Sequence, residues 1–159
     1  MKNSKHVFIG IVGPSGSGKT TLCKKLKLLL KDCEHIRLDN YFKSPKTFPK
    51  KGNFRNWELP SNLKFDVLLR HLKLLKSGKE VHAKTFPKKA GAKSEPLTLK
   101  PKKVILVEGF MLFKDKKVRD MLDVKIYLDI HPELMLKRRA IRFGSAHINE
   151  YDTKIAIPE

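Results

Sequence analysis

The chain has 159 residues, 40% of them hydrophobic, which suits one compact domain with a core and leaves no room for a second. Nine glycines and nine prolines lie scattered, excluding a fibrous repeat or a disordered chain, and the apolar stretch 7–12 is too short for a membrane span and lacks a leader-cleavage pattern, so a soluble, cytoplasmic protein is expected. The 35 Lys and Arg against 16 Asp and Glu give a formal charge of +19, which invites a nucleic-acid partner; yet the lysines fall in doublets along the whole chain (Lys24 and Lys25, Lys50 and Lys51, Lys102 and Lys103) with no interleaved aromatics, and a solvated basic surface is the preferred explanation.

In chain order, residues 6–12 read as a buried strand, 13–18 as a break, and 19–31 as a helix with Leu22, Leu26, Leu29 and Leu30 at three- and four-residue spacing. Residues 34–38 form a short second strand. Pro45, Pro49, Gly52 and Pro60 make 43–60 a long loop. Ser61 is the predicted N-cap of a helix carrying Leu63, Val67, Leu68, Leu72 and Leu75 and closed by Gly78. The stretch 79–100 is irregular, with short strands expected at 81–86 and 97–99. A continuous apolar strand, 103–107, ends in Glu108; 116–122 is helical, 124–130 is a strand, and Pro132 opens a helix reaching about residue 143. Strands alternating with helices predict an α/β fold, a parallel sheet with helices on both faces. Ligands of such sheets bind beyond the carboxyl ends of the strands, so the segment 13–20, Asp39 and Glu108 should meet in one crevice.

The segment Gly13-Pro14-Ser15-Gly16-Ser17-Gly18-Lys19-Thr20 matches G-x-x-x-x-G-K-[ST] in the strand–loop–helix context that motif needs, which predicts a P-loop NTPase fold. Its glycines let backbone N–H groups converge on phosphate oxygens, Lys19 reaches the β- and γ-phosphates, and the Thr20 hydroxyl suits Mg²⁺. ATP and Mg²⁺ are therefore the expected cofactors. Asp39 stands where a base could take the proton of an attacking hydroxyl, or where an Asx-turn forms. Glu108 has the position of a carboxylate in a metal's ligand shell, or of a surface carboxylate paired with lysine. Lys137, Arg138, Arg139 and Arg142 share one late helix, where a guanidinium could face the transferring phosphoryl or simply water. Tyr41, Trp57 and Phe86 are loop aromatics that could stack on a base or pack on the core. Cys23 and Cys33 are expected as ordinary reduced thiols; His35, His71 and His82 lack partners at metal-binding spacing, and His131 is a turn residue.

With these residues in place the chain resembles the uridine kinase-like family of P-loop nucleoside kinases (the phosphoribulokinase/uridine kinase family). The likeness runs from about residue 7 to 143 and rests on ordered motifs: 13–21; Asp39-Asn40-Tyr41-Phe42; Asn56-Trp57-Glu58-Leu59-Pro60; 65–72 with 75–78; 104–113; 119–128; and Leu136-Lys137-Arg138-Arg139. The resemblance implies one kinase domain over 1–159, with acceptor-site insertions at 43–60 and 79–100 and a lid at 137–150. It implies that 13–21, including Ser15, Ser17 and Thr21, hold ATP; that Asp39, Lys19 and Arg142 are catalytic; that Thr20, Glu108 and Asp39 surround Mg²⁺; and that Tyr41, Glu58, Phe86 and Arg139 face the acceptor. Glu58 replaces the family's usual aspartate at the ribose hydroxyls. In uridine-type members a basic lid segment follows, whereas 144–149 contains no arginine and only His147, so a shorter lid is implied. Tyr151, Pro158 and the run from Asp39 to Lys43 look more like nicotinamide riboside kinases. The implied reaction is transfer of the γ-phosphoryl of ATP to the 5′-hydroxyl of a ribonucleoside, uridine or cytidine first. Nicotinamide riboside is the alternative acceptor. An RNA 5′-hydroxyl kinase or RNA-binding NTPase is the alternative of another class.

Overall fold

The computed structural model describes residues 5–87, 89 and 91–143. Its centre is a four-stranded parallel sheet of β1 (Val7–Val12), β2 (Cys33–Arg37), β7 (Val104–Glu108) and β8 (Val124–Tyr127), in the order β2-β7-β1-β8. Two small antiparallel hairpins lie outside it: β3 (Lys50–Lys51) with β4 (Phe54–Arg55), and β5 (Val81–Lys84) with β6 (Pro96–Leu99). The described residues also form four α-helices: α1 (Lys19–Leu29), α2 (Phe65–Lys76), α3 (Lys116–Asp120) and α4 (Pro132–Phe143). Parallel neighbours need long crossovers, and each one returns over a face of the sheet through a helix or loop. No helix among the described residues is long and apolar enough to cross a membrane.

The sheet carries two apolar layers because its inner strands are buried on both sides. On one face Ile11, Cys23, Cys33 and Leu106 pack beneath α1. On the other, Phe8, Ile36, Ile105 and Val107 join Leu68, Leu72 and Leu75 of α2. Those three leucines are fully buried and recur at four and three residues, the stripe of a helix lying on a core.

The structure corrects the predicted start of α2. Ser61 is not its N-cap; it lies in a 3₁₀ turn, Pro60–Asn62, and the helix begins at Phe65 behind Lys64. Tertiary pairing decides this. Phe42 and Leu63 form an antiparallel bridge, Lys43 N donates to Asn62 O at 2.8 Å, and Lys64 N donates to Tyr41 O at 2.8 Å, which holds Leu63 extended. The long loop 43–60 likewise contains a 3₁₀ turn (Pro45–Thr47) and the β3–β4 hairpin, and the strand predicted over 124–130 ends at Tyr127.

Candidate active site

Strand order positions the site. β7 lies between β1 and β2, and its last residue, Glu108, is in register with Ile11 on one side and Arg37 on the other. The loop after β1 therefore stands on one flank of Glu108 and the turn after β2 on the other. The crevice is where three neighbouring strands end.

Residues 13–18 form the loop between β1 and α1. Gly18, at φ 95°, occupies the left-handed region just before the helix, where a side chain would be strained. Gly13 is needed for another reason: a Cβ there would stand 2.6 Å from Leu128 O and 2.7 Å from Ser17 Oγ. No acidic residue occupies the first turn of α1, so the positive end of the helix and its open N–H groups face the loop. Lys19 Nζ donates to Gly13 O at 2.8 Å and Pro14 O at 2.9 Å, folding over the loop. Burial lowers its pKa while Glu108 and Asp39 oppose that shift.

Below the loop, Thr20 Oγ1 donates to Glu108 Oε1 at 2.7 Å. The same oxygen lies 3.3 Å from Arg37 Nε and 3.4 Å from His35 Nε2. Burial works to raise the Glu108 pKa, but His35 and the Thr20 hydroxyl, with the Arg37 charge behind them, hold its carboxyl below the ordinary range. Glu108 Oε2 is buried and accepts no hydrogen bond among the described residues.

Asp39 lies in a 3₁₀ turn, Leu38–Tyr41, directly after β2. Arg37 Nη2 stands 3.5 Å from Asp39 Oδ2, so one guanidinium spans both carboxylates of the crevice. Its neighbours pull Asp39 in two directions. Burial and the Glu108 charge push its pKa up, while Arg37, Lys19 and Arg142 favour the anion; the net shift is upward.

The flank beyond Asp39, where the acceptor residues are expected, is aromatic. Phe42 is ringed by Trp57 at 5.3 Å, Phe86 at 5.7 Å, Phe48 at 5.8 Å and Phe110 at 6.4 Å between centroids. Phe86 is half-buried against Phe42 and Trp57, and its N–H donates to Asn40 Oδ1 at 3.0 Å, which joins the 79–100 segment to the Asp39 turn. Tyr41 is no loop aromatic: it is 4% exposed, with its hydroxyl 2.9 Å from His71 Nδ1, and burial raises its pKa well above the usual value. Glu58 follows Trp57 on a segment whose turn is closed by Glu58 N donating to Asn56 Oδ1 at 2.9 Å and Asn62 Nδ2 to Asn56 O at 2.7 Å.

Of the late arginines, Arg138 reaches the loop, its Nη1 donating to Gly16 O at 3.0 Å. Arg142 lies close enough for its charge to act on Lys19 and Asp39, and the side chain of Arg139 packs near Gly16. Of the lid expected over 137–150, residues 137–143 belong to α4, while 144–150, with Tyr151 and Pro158, lie outside the described residues. His131, expected as a turn residue, stands directly before α4, its carbonyl accepting the helix's opening bond from Met135 N at 3.0 Å.

Sequence reasoning missed Arg37 and passed over His35. Both point to the α1 side of the sheet, where strand alternation would have put residues 33, 35 and 37 beside the acid that ends β7. Cys23 and Cys33 are free and buried, as expected of reduced thiols; burial and the neighbouring Glu108 push Cys23 up to about 12.

The three polar groups that fit a nucleotide–metal pair are hard oxygens: the Thr20 hydroxyl and the Glu108 and Asp39 carboxylates. The unpartnered Glu108 Oε2 leaves an acceptor for a Mg²⁺ ion or one of its waters.

Comparison with known proteins bears on the family and the fold. Residues 8–145 match the Phosphoribulokinase / Uridine kinase family. A uridine kinase of Chlamydia pneumoniae is 36% identical over 140 residues, covering 86% of this chain and 63% of that protein. A uridine kinase of Staphylococcus aureus (strain JH9) is 39% identical over 140 residues, covering 85% and 67%. The chain thus spans roughly two thirds of the length of these relatives, and less than that of the first. Among solved structures, a possible uridine kinase from Bacillus stearothermophilus superposes with a TM-score of 0.68 at 21% identity, over 97% of this chain and 85% of that one, which shows the same P-loop fold.

Proposed function

The chain belongs to the phosphoribulokinase/uridine kinase family, and on that footing we propose that it is an ATP- and Mg²⁺-dependent nucleoside kinase, moving the γ-phosphoryl of ATP to the 5′-hydroxyl of a ribonucleoside, with uridine or cytidine the first candidates. One observation carries this: Thr20 of the P-loop and Arg37 beside Asp39 meet on the same carboxylate, Glu108. That shared carboxylate supports a reading in which phosphate binding and proton removal take place in one crevice.

The residues divide the work. The loop N–H groups and Lys19 hold the β- and γ-phosphates, with the helix end behind them. Thr20, Glu108 and Asp39 would hold Mg²⁺ or its waters, and the ion when bound would offset charge on the phosphate oxygens. Asp39 takes the proton of the acceptor hydroxyl as its oxygen bonds to the γ-phosphorus and the bond to the β–γ bridging oxygen breaks, releasing ADP. Its raised pKa suits a proton acceptor, and Arg37 keeps it anionic beforehand. Arg142, and Arg139 near Gly16, add positive charge where the phosphoryl moves. On the other flank the Glu58 carboxylate accepts from the ribose hydroxyls and Phe86 lies against the base.

The test is ADP release with ATP and Mg²⁺ across a panel of ribonucleosides, nicotinamide riboside and a 5′-hydroxyl oligonucleotide. Turnover with a pyrimidine ribonucleoside is expected. Turnover with the oligonucleotide alone would move the +19 charge to the centre of the function, and none with any acceptor would overturn the proposal.

A further inference from the structure

Cys23, His35 and Glu108 come from three different elements, α1, β2 and β7, yet one donor atom from each lies within 4.8 Å of the other two. Helical spacing puts Cys23 three residues past Thr20, on the side of α1 that faces the sheet. Parallel register sets His35 opposite Leu106 and thus diagonal to Glu108 on that face. All three are well enclosed: Cys23 is fully buried, and the His35 and Glu108 side chains are 10% and 4% exposed. Glu108 Oε2 is buried without a hydrogen-bond partner among the described residues, and the buried His35 Nε2 has a long approach of 3.4 Å to Glu108 Oε1. An apolar α1–sheet layer closes around them.

An unpartnered carboxylate oxygen and a loosely held imidazole beside a thiol make an expensive way to fill a core. The same three groups make a good chelate. We propose that Cys23, His35 and Glu108 form a binding site for a borderline-soft divalent cation, Zn²⁺ in the first place, and that its occupation switches the P-loop site off.

Donor chemistry selects the ion. A sulfur, an imidazole nitrogen and one carboxylate oxygen suit Zn²⁺ or Co²⁺, whereas Mg²⁺ takes oxygens. Metal–donor distances of about 2.0–2.3 Å put neighbouring donors roughly 3.5 Å apart, so side-chain rotation suffices to close this triad, with a water completing a tetrahedron. On binding, the thiol releases its proton to solvent as sulfur bonds to the metal; His35 binds as the neutral imidazole and Glu108 as the carboxylate it already is. Thiolate and carboxylate then balance the two positive charges. The switch-off follows because Glu108 is the acceptor of Thr20, and that part rests on the proposed kinase reaction.

The experiment uses the full chain, reduced and free of chelator, titrated with Co²⁺ and then Zn²⁺. A sulfur-to-cobalt charge-transfer band saturating at one equivalent and bleached by Zn²⁺ is expected. Cys23→Ser and Cys23→Ala should abolish the band, and His35→Ala should weaken Zn²⁺ binding by about tenfold or more. In the kinase assay Zn²⁺ should inhibit the wild type even with excess Mg²⁺, and Cys23→Ser should keep basal turnover and lose the inhibition. Absence of the band, or equal Zn²⁺ affinity in both Cys23 variants with unchanged far-UV circular dichroism, overturns the site. Zn²⁺ bound with the band present but turnover unaffected overturns the switch. A chain that shows the band and phosphorylates no nucleoside keeps the metal site and loses the kinase reaction instead.

Discussion

The two walls of the crevice rest on opposite physics. The P-loop wall, residues 13–20 with Arg37, Asp39 and Glu108, is held by charge and backbone: Lys19 on two carbonyls, Thr20 on Glu108, Arg37 across two acids. The aromatic wall, with Phe42, Phe48, Trp57, Phe86 and Phe110, is held by ring packing around Phe42, with Asn56 and Asn62 fixing the loop behind it. The first is made of groups whose removal should cost chemistry and little stability. In the second, stability and recognition are the same contacts.

Lys19→Ala tests the contrast at its extreme. Turnover is expected to vanish and ATP binding to weaken, while the melting temperature hardly moves, because among the described residues the ammonium donates to carbonyls of its own loop. A variant that keeps near-normal turnover would break the comparison and the kinase proposal with it. Asp39→Asn is the next largest: the amide keeps the shape but takes no proton, so kcat should fall about 10²–10⁴-fold with nucleoside binding less affected. Steady-state kinetics on the preferred nucleoside decides it.

On the aromatic wall the expected loss is in folding. Phe42→Ala removes the hub of four ring contacts and should cost about 3–5 kcal/mol in urea unfolding. A change under about 1 kcal/mol would mean that the rings repack without it. Recognition should separate within the same wall. Glu58→Ala is expected to lose most of the preference for a ribonucleoside over its 2′-deoxy counterpart, and Phe86→Ala to raise KM for every base with ribose preference intact. Unchanged discrimination in Glu58→Ala would remove that residue from the acceptor site.

The smallest effect concerns pH. Burial, with Arg70 nearby, lowers the pKa of His71, which holds the Tyr41 hydroxyl. The folded state therefore binds fewer protons than the unfolded one below about pH 6.5, and stability should fall as pH drops through that value toward the lowered folded one. His71→Gln should flatten this part of a stability–pH curve; an unchanged slope would assign it to other groups.

The crevice was legible in the sequence to different depths on its two sides. The motif from Gly13 to Thr20 specifies a local conformation, left-handed glycine and helix start included, so most of its geometry comes from neighbouring residues. The acid at the end of an apolar strand was equally readable, because strand period and burial are local signals. Ser61 shows where such signals fail: its capping chemistry was overruled by the Phe42–Leu63 bridge, a pairing twenty-one residues apart in the chain. Tyr41, expected in a loop, is buried because His71, thirty residues on, supplies the partner its hydroxyl needs.

Sequence by itself determined the α/β alternation, the phosphate loop and the identity of the two crevice acids, since each depends on periodicity or on a contiguous motif. Only the tertiary structure decided that β7 inserts between β1 and β2. That insertion sets Glu108 under Thr20, brings Arg37 between Glu108 and Asp39, and gathers Cys23, His35 and Glu108 into one buried cluster. Strand order carries no local signal, because parallel strands are joined through crossovers whose length does not say which neighbour they will meet. Packing of the whole chain makes that choice.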